Sequence, residues 1–334
     1  MYIKNRSLFV ITLTKLTCRD IILLASVFRK NNVKEGVNMN TWKKAGALLL
    51  TGVMASGMCV GVYAEDQTDV VVFAAASMTE TLTEIQEMYK EVEPNVNLVF
   101  TFDSSGTLKT QIEEGADCDL FISAAQRQMN QLDITADPSV NEDGLDFIDD
   151  TTRRDLLENK VVLAVPEDNQ ADIQSFEDLG TDKLNLLCLG NEDVPVGAYS
   201  EEILTNLGIL DQLEADKKIT YGSNVKEVTT QVSEGSVDAG IIYATDAYSA
   251  GLTVVDQADS TLCKQVIYPA AVLKNAAHAD EAKAFLDYLT TETSAEVFES
   301  VGFTMVKADD EEETEAVSEA ESETAAETES ETEA

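Results

Sequence analysis

Val70–Tyr89, with the sequence VVVFAAASMTETLTEIQEMY, contains the transition that decides the fold class. Its first part, 70–76, is an unbroken apolar run, which predicts a buried β-strand. The residues that follow have an apolar stripe at helical spacing: Leu82, Ile85 and Tyr89. The stretch therefore predicts a strand that leads directly into an amphipathic helix, the unit from which α/β folds are built.

Strand patterns and amphipathic helix patterns alternate along the rest of the chain body. Further strand patterns occur at 96–102, 118–124, 160–166, 184–190, 218–223, 238–244 and 263–273. The pattern restarts after Asp150, which predicts two α/β units rather than one. Because alternating segments of this length form mainly parallel sheets with helices on both faces, we predict an α/β fold. Its mixed, mostly parallel sheets form two lobes with a ligand cleft between them.

Polar residues or a proline mark the predicted starts of four helices. These are Ser77 with Glu80 three positions on, Ser104 and Ser105, the VPVG segment 194–197, and Asn224 with Glu227 three positions on. The first and last pairs have the spacing of capping boxes, and such residues are ordinary caps. A helix start also carries unpaired N–H donors and the positive end of the helix dipole. If the four starts converge at the carboxyl edges of the sheets, they make an anion site without a full positive charge.

The first 64 residues are typical of an upstream segment followed by a secretory signal. Residues 43–64 have a basic start, an apolar middle too short for a membrane span and a VYA ending, so we expect cleavage after Ala64. Lipid attachment at Cys59 is the alternative. Residues 34–36 are what a ribosome-binding sequence would encode in frame, so we hypothesise that Met39 is the true start. The expected location is extracytoplasmic, in the periplasm or at the cell surface.

Residues 308–334 form an acidic tail that contains 13 carboxylates and no basic or aromatic residue, and we expect it to be disordered. The body between the signal and the tail keeps 14 basic and 47 acidic residues. Such a body repels nucleic acid and anionic membrane surfaces, so neither is an expected partner. Three cysteines remain in the body, an odd number that favours buried thiols, with one disulfide as the alternative: Cys118, Cys188 and Cys263.

Seven segments of the body, taken in chain order, match the pattern of a known family. They are VFAAASMTETL, FDSSGTLKTQIEEGADCDLFISAAQRQMNQL, VPVGAYSEEILTNLG, NVKEVTTQV, DAGIIYATDA, YPAAV and VGFT. Over residues 68–306 the chain resembles the molybdate-binding protein of ABC importers. The resemblance implies a two-lobed, type II periplasmic-binding-protein fold that holds an oxyanion in its cleft. In this fold lobe 1 comprises 68–160 and 257–306, and lobe 2 comprises 161–256.

The resemblance also implies which residues bind the anion. Ser77 and Ser105 would each donate a hydroxyl and a backbone N–H. Val196, which replaces an expected alanine, and Val225 would donate backbone N–H groups from the second lobe, and Tyr243 would donate its phenol. The implied ligand is molybdate or tungstate, bound as an oxyanion without a cofactor or a cationic metal. The implied partners are a membrane permease and its cytoplasmic ATPase, and the binding protein itself is expected to be a monomer.

A shell that only donates hydrogen bonds suits molybdate and tungstate, which are fully deprotonated dianions at neutral pH. Hydrogen phosphate would need an acceptor, and the nearby candidate is Asp103, where the family pattern has a small residue. We expect instead that this carboxylate faces solvent or caps the turn at 104–106. Sulfate stays an alternative ligand because its exclusion depends on the size of the cavity.

Three other functions are weaker alternatives. A serine hydrolase would need a histidine beside an activated serine, but the one histidine, His278, lies in a polar stretch and no G-x-S-x-G motif is present. The acidic runs lack the spacing of a calcium loop. A sensor or adhesin that uses the same lobes without transport has only the unusual tail in its favour.

Overall fold

The computed structural model of the chain describes residues 67–306. The predicted signal, the start at Met39, the lipid site at Cys59 and the acidic tail at 308–334 lie outside these residues. Within the described range, no helix has both the length and the apolar character that a membrane crossing requires.

The strands of the described residues are, in chain order, β1 Thr68–Ala75, β2 Val96–Asp103, β3 Leu120–Ile122, β4 Arg154–Asn159, β5 Val161–Val165, β6 Leu187–Gly190, β7 Ile219–Gly222, β8 Ala239–Tyr243, β9 Thr253–Gln257, β10 Val266–Val272 and β11 Thr304–Met305. The α-helices are α1 Thr79–Val92, α2 Ser105–Glu113, α3 Gln126–Asn130, α4 Pro195–Asn206, α5 Leu210–Ala215, α6 Val225–Ser233, α7 Ala244–Ala250, α8 Ala279–Tyr288 and α9 Glu292–Ser300. Short 3₁₀ helices cover Ala76–Met78, Asp150–Thr152 and Phe176–Gly180.

The strands form two separate sheets. The first has the order β11-β4-β10-β3-β1-β2, and the second has the order β7-β6-β8-β5-β9. In the first sheet β1 runs parallel to β2 and β3, while β10 runs antiparallel to β3 and β4. In the second, β6 runs parallel to β7 and β8, while β5 runs antiparallel to β8 and β9. The last pair of the first sheet, β11 with β4, is also antiparallel. Most strands of each sheet point in one direction, but among the described residues four neighbouring pairs are parallel and five are antiparallel. Both sheets are therefore mixed, which confirms the predicted α/β architecture of mixed sheets.

Within residues 67–306, the chain crosses between the two sheets twice. The first crossing is a single residue, Lys160, between the end of β4 and the start of β5. The second is the segment 258–265 between β9 and β10. Two short connections of this kind allow the sheets to move relative to each other as rigid bodies, the usual basis of hinge closure around a ligand.

The helix after β1 begins later than the sequence predicts. Leu82, Ile85 and Tyr89 are buried as expected. However, α1 starts at Thr79 and has no side-chain cap, because one tight 3₁₀ turn, Ala76–Met78, lies between it and β1. The prediction that Ser77 caps this helix is therefore wrong, since the extra turn places the serine before the cap position and leaves its hydroxyl for another partner.

Two other predicted caps are present. Ser104 caps α2 by accepting a hydrogen bond from the Thr107 N–H at 3.1 Å. Asn224 caps α6 by accepting one from the Glu227 N–H at 3.0 Å. The Glu227 carboxylate in turn accepts from the Ser223 N–H at 2.7 Å, one residue earlier than a capping box requires.

The three cysteines of the body are buried free thiols, as predicted: Cys118, Cys188 and Cys263. Burial raises the pKa of each thiol, for Cys188 to about 12 and for Cys263 to about 11. They are therefore protonated at neutral pH and act as small apolar core residues.

Candidate anion-binding site

A small cavity lies where the two sheets' elements meet. Residues from the first sheet's side and from the second sheet's side both line it, including Ser77, Asp103, Ser105, Pro195, Val225 and Tyr243. The space open to the centre of a water-sized sphere in this cavity is about 10 Å³. A volume of about 10–15 Å³ on this measure holds roughly one water-sized group. The cavity therefore has no room for an organic molecule and suits at most a small ion.

The structure brings four of the five predicted ligand residues to this cavity. Ser77, Ser105, Val225 and Tyr243 line it, and each has at most 5% of its surface exposed. Val196 is not among the lining residues, but it is fully buried and directly follows Pro195, which does line the cavity. Binding by these residues stays a prediction, while their gathering at one place is observed.

Three helix N-termini supply backbone donors near the cavity. Ser105 and Val225 are the first residues of α2 and α6, and Val196 is the second residue of α4. Helix geometry gives the N–H groups of these positions no intrahelical partner. The first residue of α4, Pro195, has no N–H, so Val196 carries the first backbone donor of that helix. The convergence that the periodicity could not show is thus present in the fold.

The two serine hydroxyls have defined partners on the protein side. The Ser105 Oγ accepts a hydrogen bond from the Ala124 N–H at 2.9 Å. The Ser77 Oγ lies 2.9 Å from the phenolic oxygen of Tyr268, a fully buried residue of β10. Tyr268 is not among the predicted site residues, although it lies in the YPAAV segment. Its spacing resembles that of any buried strand residue, and only the pairing of β10 beside β3 reveals its position.

Tyr243 ends β8 with its side chain fully buried against the cavity. Its phenol donates to the Ala124 carbonyl oxygen at 3.4 Å, which is long for a hydroxyl donor and therefore weak. Burial raises the pKa of Tyr243 well above 10. The phenol therefore keeps its proton at neutral pH and can donate it to an anion.

Asp103 lines the cavity and connects the two sides of the cleft. Its Oδ1 accepts from the Ser104 N–H at 2.8 Å and from the Asn224 side-chain amide at 3.3 Å. The carboxylate thus takes part in the turn at 104–106, one of the two roles considered from the sequence. It is half-buried rather than directed to open solvent.

The described part of the chain places no full positive charge on the wall of the cavity. Among the described residues, those lining the cavity include no lysine, arginine or histidine. Lys226, which follows Val225, is engaged elsewhere: its Nζ lies 2.6 Å from Glu80 Oε2 and 3.1 Å from Asp246 Oδ1. Burial raises the pKa of Asp246 to about 6, and Lys226 opposes that shift. An anion in the cavity would therefore depend on hydrogen-bond donors and helix dipoles rather than on ion pairs.

The cleft is narrow where α2 approaches the start of α4. The Gly106 N–H donates to the Asp193 carbonyl oxygen at 2.9 Å across it. A Cβ at Gly106 would lie only 2.3 Å from that oxygen, so the close approach requires glycine.

Two alternatives to an anion site were a serine hydrolase and a calcium site, and the described residues can be compared with both. His278 precedes α8 and donates its backbone N–H to Asp119 at 3.1 Å, and it does not line the cavity. Residues 67–306 contain no group of three or more His, Cys, Asp or Glu side chains arranged to hold a metal ion.

Known proteins share this sequence and fold. A family model described as bacterial extracellular solute-binding protein matches residues 70–304. The chain is 36% identical to the molybdate-binding protein ModA of Escherichia coli over 266 residues, covering 77% of this chain and 97% of that protein. It is 34% identical to ModA of Haemophilus influenzae over 242 residues, covering 70% of this chain and 89% of that protein.

Solved structures show the same fold. The periplasmic molybdate-binding protein of Azotobacter vinelandii has a TM-score of 0.62 at 21% identity, covering 71% of this chain and 100% of that chain. The resemblance deduced from the seven sequence segments and the two-lobed binding-protein fold are thus both confirmed. The chain belongs to the family of bacterial extracellular solute-binding proteins.

Proposed function

We propose that this protein captures molybdate, and also tungstate, in the cavity between its lobes and delivers it to an ABC permease with a cytoplasmic ATPase. The observation that carries the proposal is the composition of the cavity. Two serine hydroxyls, a phenol and three helix N-termini surround the small cavity, and within residues 67–306 no basic side chain lines it. Relatives with this sequence pattern are named molybdate-binding proteins.

The chemistry of the ligand matches such a shell. A tetrahedral dianion without protons offers only acceptors, so donors alone satisfy each of its oxygens. Hydrogen phosphate would need an acceptor, and Asp103 is the carboxylate on the cavity wall. The Asp103 Oδ1 accepts one hydrogen bond from each side of the cleft, from the Ser104 N–H and from the Asn224 amide, which favours a role in holding the cleft together.

Ligand binding and closure of the cleft would be coupled. Ser77 and Ser105 lie on the side of the first sheet, whereas Val196, Val225 and Tyr243 lie on the side of the second. An anion contacts all of them only when the lobes are together, so its binding free energy favours the closed form. The closed form is the one we propose the permease recognises.

The family is one of extracellular solute-binding proteins, which supports an extracytoplasmic location and a role in binding. We propose that the protein binds its ligand as a monomer and without a cofactor. We further propose soluble release after cleavage at Ala64, with lipid attachment at Cys59 as the competing route. Mass spectrometry of the mature protein separates the two, because only the second leaves a lipid-modified cysteine at the N-terminus.

Titration with a panel of ligands tests the proposal. Thermal unfolding of the secreted protein is followed with molybdate, tungstate, sulfate, phosphate and calcium. A ligand at a hundredfold excess over its Kd should stabilise the fold by about 2.7 kcal/mol. We expect this shift with molybdate and tungstate. No shift with either ion would overturn the proposal, and a shift with sulfate or phosphate alone would reassign the site to that anion.

A further inference from the structure

The Ser105 hydroxyl oxygen accepts its hydrogen bond from the protein, and not from a ligand. Its Oγ accepts from the Ala124 backbone N–H at 2.9 Å, and a backbone N–H can only donate. The serine proton must therefore point away from Ala124. Because Ser105 is fully buried and lines the cavity, its hydroxyl proton is available to a ligand.

The Ser77 hydroxyl proton is also left free for a ligand, through a series of hydrogen bonds that begins at Asn159. The Lys160 backbone N–H donates to Asn159 Oδ1 at 2.8 Å, which fixes the orientation of the amide, because a backbone N–H needs an acceptor. The Asn159 Nδ2 then faces the opposite way. It donates one proton to Thr245 Oγ1 at 2.9 Å and the other to the Tyr268 phenol at 3.1 Å.

The direction of the next hydrogen bond follows from these two. Tyr268 is fully buried and its oxygen accepts from Asn159, so its own proton needs an acceptor. The Ser77 Oγ, 2.9 Å away, is that acceptor. If Ser77 donated instead, the buried phenol proton of Tyr268 would lose this partner. The Ser77 proton is consequently directed to the cavity, as the Ser105 proton is.

We propose that Asn159 and Tyr268 are positioning residues that force the Ser77 hydroxyl to donate, and that they thereby select fully deprotonated oxyanions over protonated ones. Neither residue lines the cavity, so each acts through Ser77. The inference rests on the proposed anion-binding function and adds a cause for its selectivity. A hydrogen phosphate ion carries a proton that needs an acceptor. Because the Ser77 oxygen accepts from Tyr268, Ser77 presents a proton to the cavity and offers no acceptor to that ion.

The decisive variant is Asn159→Asp. A carboxylate has the same shape as the amide but cannot donate, so it would accept the Tyr268 proton. Tyr268 would then accept from Ser77, and the Ser77 lone pairs would face the cavity. We expect the Kd for molybdate and for sulfate to rise roughly 10- to 150-fold, the effect of losing a hydrogen bond to a charged group. The Kd for hydrogen phosphate should rise much less.

The comparison of sulfate with hydrogen phosphate separates hydroxyl direction from charge. Both are tetrahedral dianions near pH 8, so the added negative charge of the Asn159→Asp variant repels them equally. Only hydrogen phosphate can donate to Ser77. The ratio of the two dissociation constants, measured by isothermal titration calorimetry, is therefore the readout that a merely structural role would not move.

Two further variants complete the test. Tyr268→Phe removes the donor to Ser77 without adding charge, and it should reduce the discrimination against hydrogen phosphate while weakening molybdate binding only a few-fold. Asn141→Asp is the matched control. Asn141 is also a buried asparagine, and its amide donates to the backbone oxygens of Asp133 and Leu145 at 2.9 and 2.8 Å, in a loop that does not line the cavity. It should lower thermal stability and leave the ratio unchanged.

The outcomes are distinct. If the wild-type protein binds neither molybdate nor tungstate, the proposed function fails, and the ratio is measured for whichever oxyanions bind. If Asn159→Asp folds and keeps the wild-type ratio of sulfate to hydrogen phosphate affinity, the inference is overturned. If that variant does not fold, the Tyr268→Phe variant is decisive. An unchanged ratio of the sulfate and hydrogen phosphate dissociation constants in that variant overturns the inference.

Discussion

The two sides of the cavity present donors of different kinds. On the first sheet's side, Ser77 and Ser105 offer side-chain hydroxyls whose directions are set by neighbouring residues. On the second sheet's side, Val196 and Val225 have apolar side chains, so only their backbone N–H groups can donate, with the Tyr243 phenol as the exception. One side is therefore sensitive to side-chain replacement and the other mainly to changes of the backbone.

Replacing Ser105 by alanine tests the first side and should have the largest effect. It removes a hydroxyl donor and also leaves the buried Ala124 N–H without its acceptor. We expect binding to weaken by about 1.5–3 kcal/mol, roughly 10- to 150-fold in Kd, by calorimetry with molybdate.

Ser294→Ala is the control for that variant. Ser294 is also fully buried, and its hydroxyl donates to the Tyr288 carbonyl oxygen at 2.9 Å, away from the cavity. It should lower stability without changing affinity. An unchanged affinity in Ser105→Ala would remove Ser105 from the site.

Val225→Pro tests the second side, because it deletes one backbone N–H and exchanges one buried apolar side chain for another. Proline is tolerated at the first position of a helix, which Val225 occupies in α6. The preceding residue, Asn224, already has the extended backbone that a following proline requires, with φ −154° and ψ 170°. We expect a loss of about 1.5–3 kcal/mol in binding free energy, the range for a hydrogen bond to a charged group.

Val225→Ala is the comparison that sharpens this result, since it keeps the N–H and shortens the side chain. Its Kd should stay within a few-fold of the wild-type value. Equal losses in the proline and alanine variants would show that the side chain, and not the N–H, matters at this position.

Gly106→Ala tests whether the two sides must come together. Alanine favours the helix itself, so the isolated lobe should not be destabilised. The added Cβ would meet the Asp193 oxygen across the cleft, and overpacking of this kind costs about 1–3 kcal/mol. We expect weaker molybdate binding with no loss of thermal stability in the absence of ligand. Affinity equal to wild type would show that the closed cleft can relax at this point.

Glu80→Gln should have the smallest effect. It breaks the pair between α1 and Lys226 across the cleft, but the Glu80 side chain is 49% exposed. Exposed pairs contribute about 0.2–1 kcal/mol and are screened by salt. We expect a change in Kd of less than about 5-fold that disappears at high ionic strength. Glu87→Gln is the control, because Glu87 pairs with Lys90 inside the same helix and should not affect binding.

Local patterns were sufficient for much of the fold. The apolar run at 70–76 and the stripe of Leu82, Ile85 and Tyr89 predict β1 and α1, because burial of one face produces a period that is visible in the sequence. The strand β4 shows the limit of such patterns. Four of the six residues in its sequence, RDLLEN, are polar, and it becomes a strand by pairing with β10 and β11, more than a hundred residues away.

The types of donor at the site were also readable from the sequence. Serines, an asparagine and a Pro-Val pair at helix starts predict backbone and hydroxyl donors, since helix ends have the same unpaired groups wherever they occur. The convergence of these starts was an expectation only, because periodicity describes each element and contains no distance between elements.

Tertiary structure alone decided how each donor is directed. Ser77 was expected to cap a helix, but a 3₁₀ turn displaces it, and its hydroxyl meets Tyr268, which lies 191 residues later in the chain. The contacts between Asp103 and Asn224 and between Glu80 and Lys226 likewise join segments 121 and 146 residues apart. Hydrogen-bond direction depends on the atoms that surround a group in space, so the chain specifies which donors exist, and folding determines where their protons point.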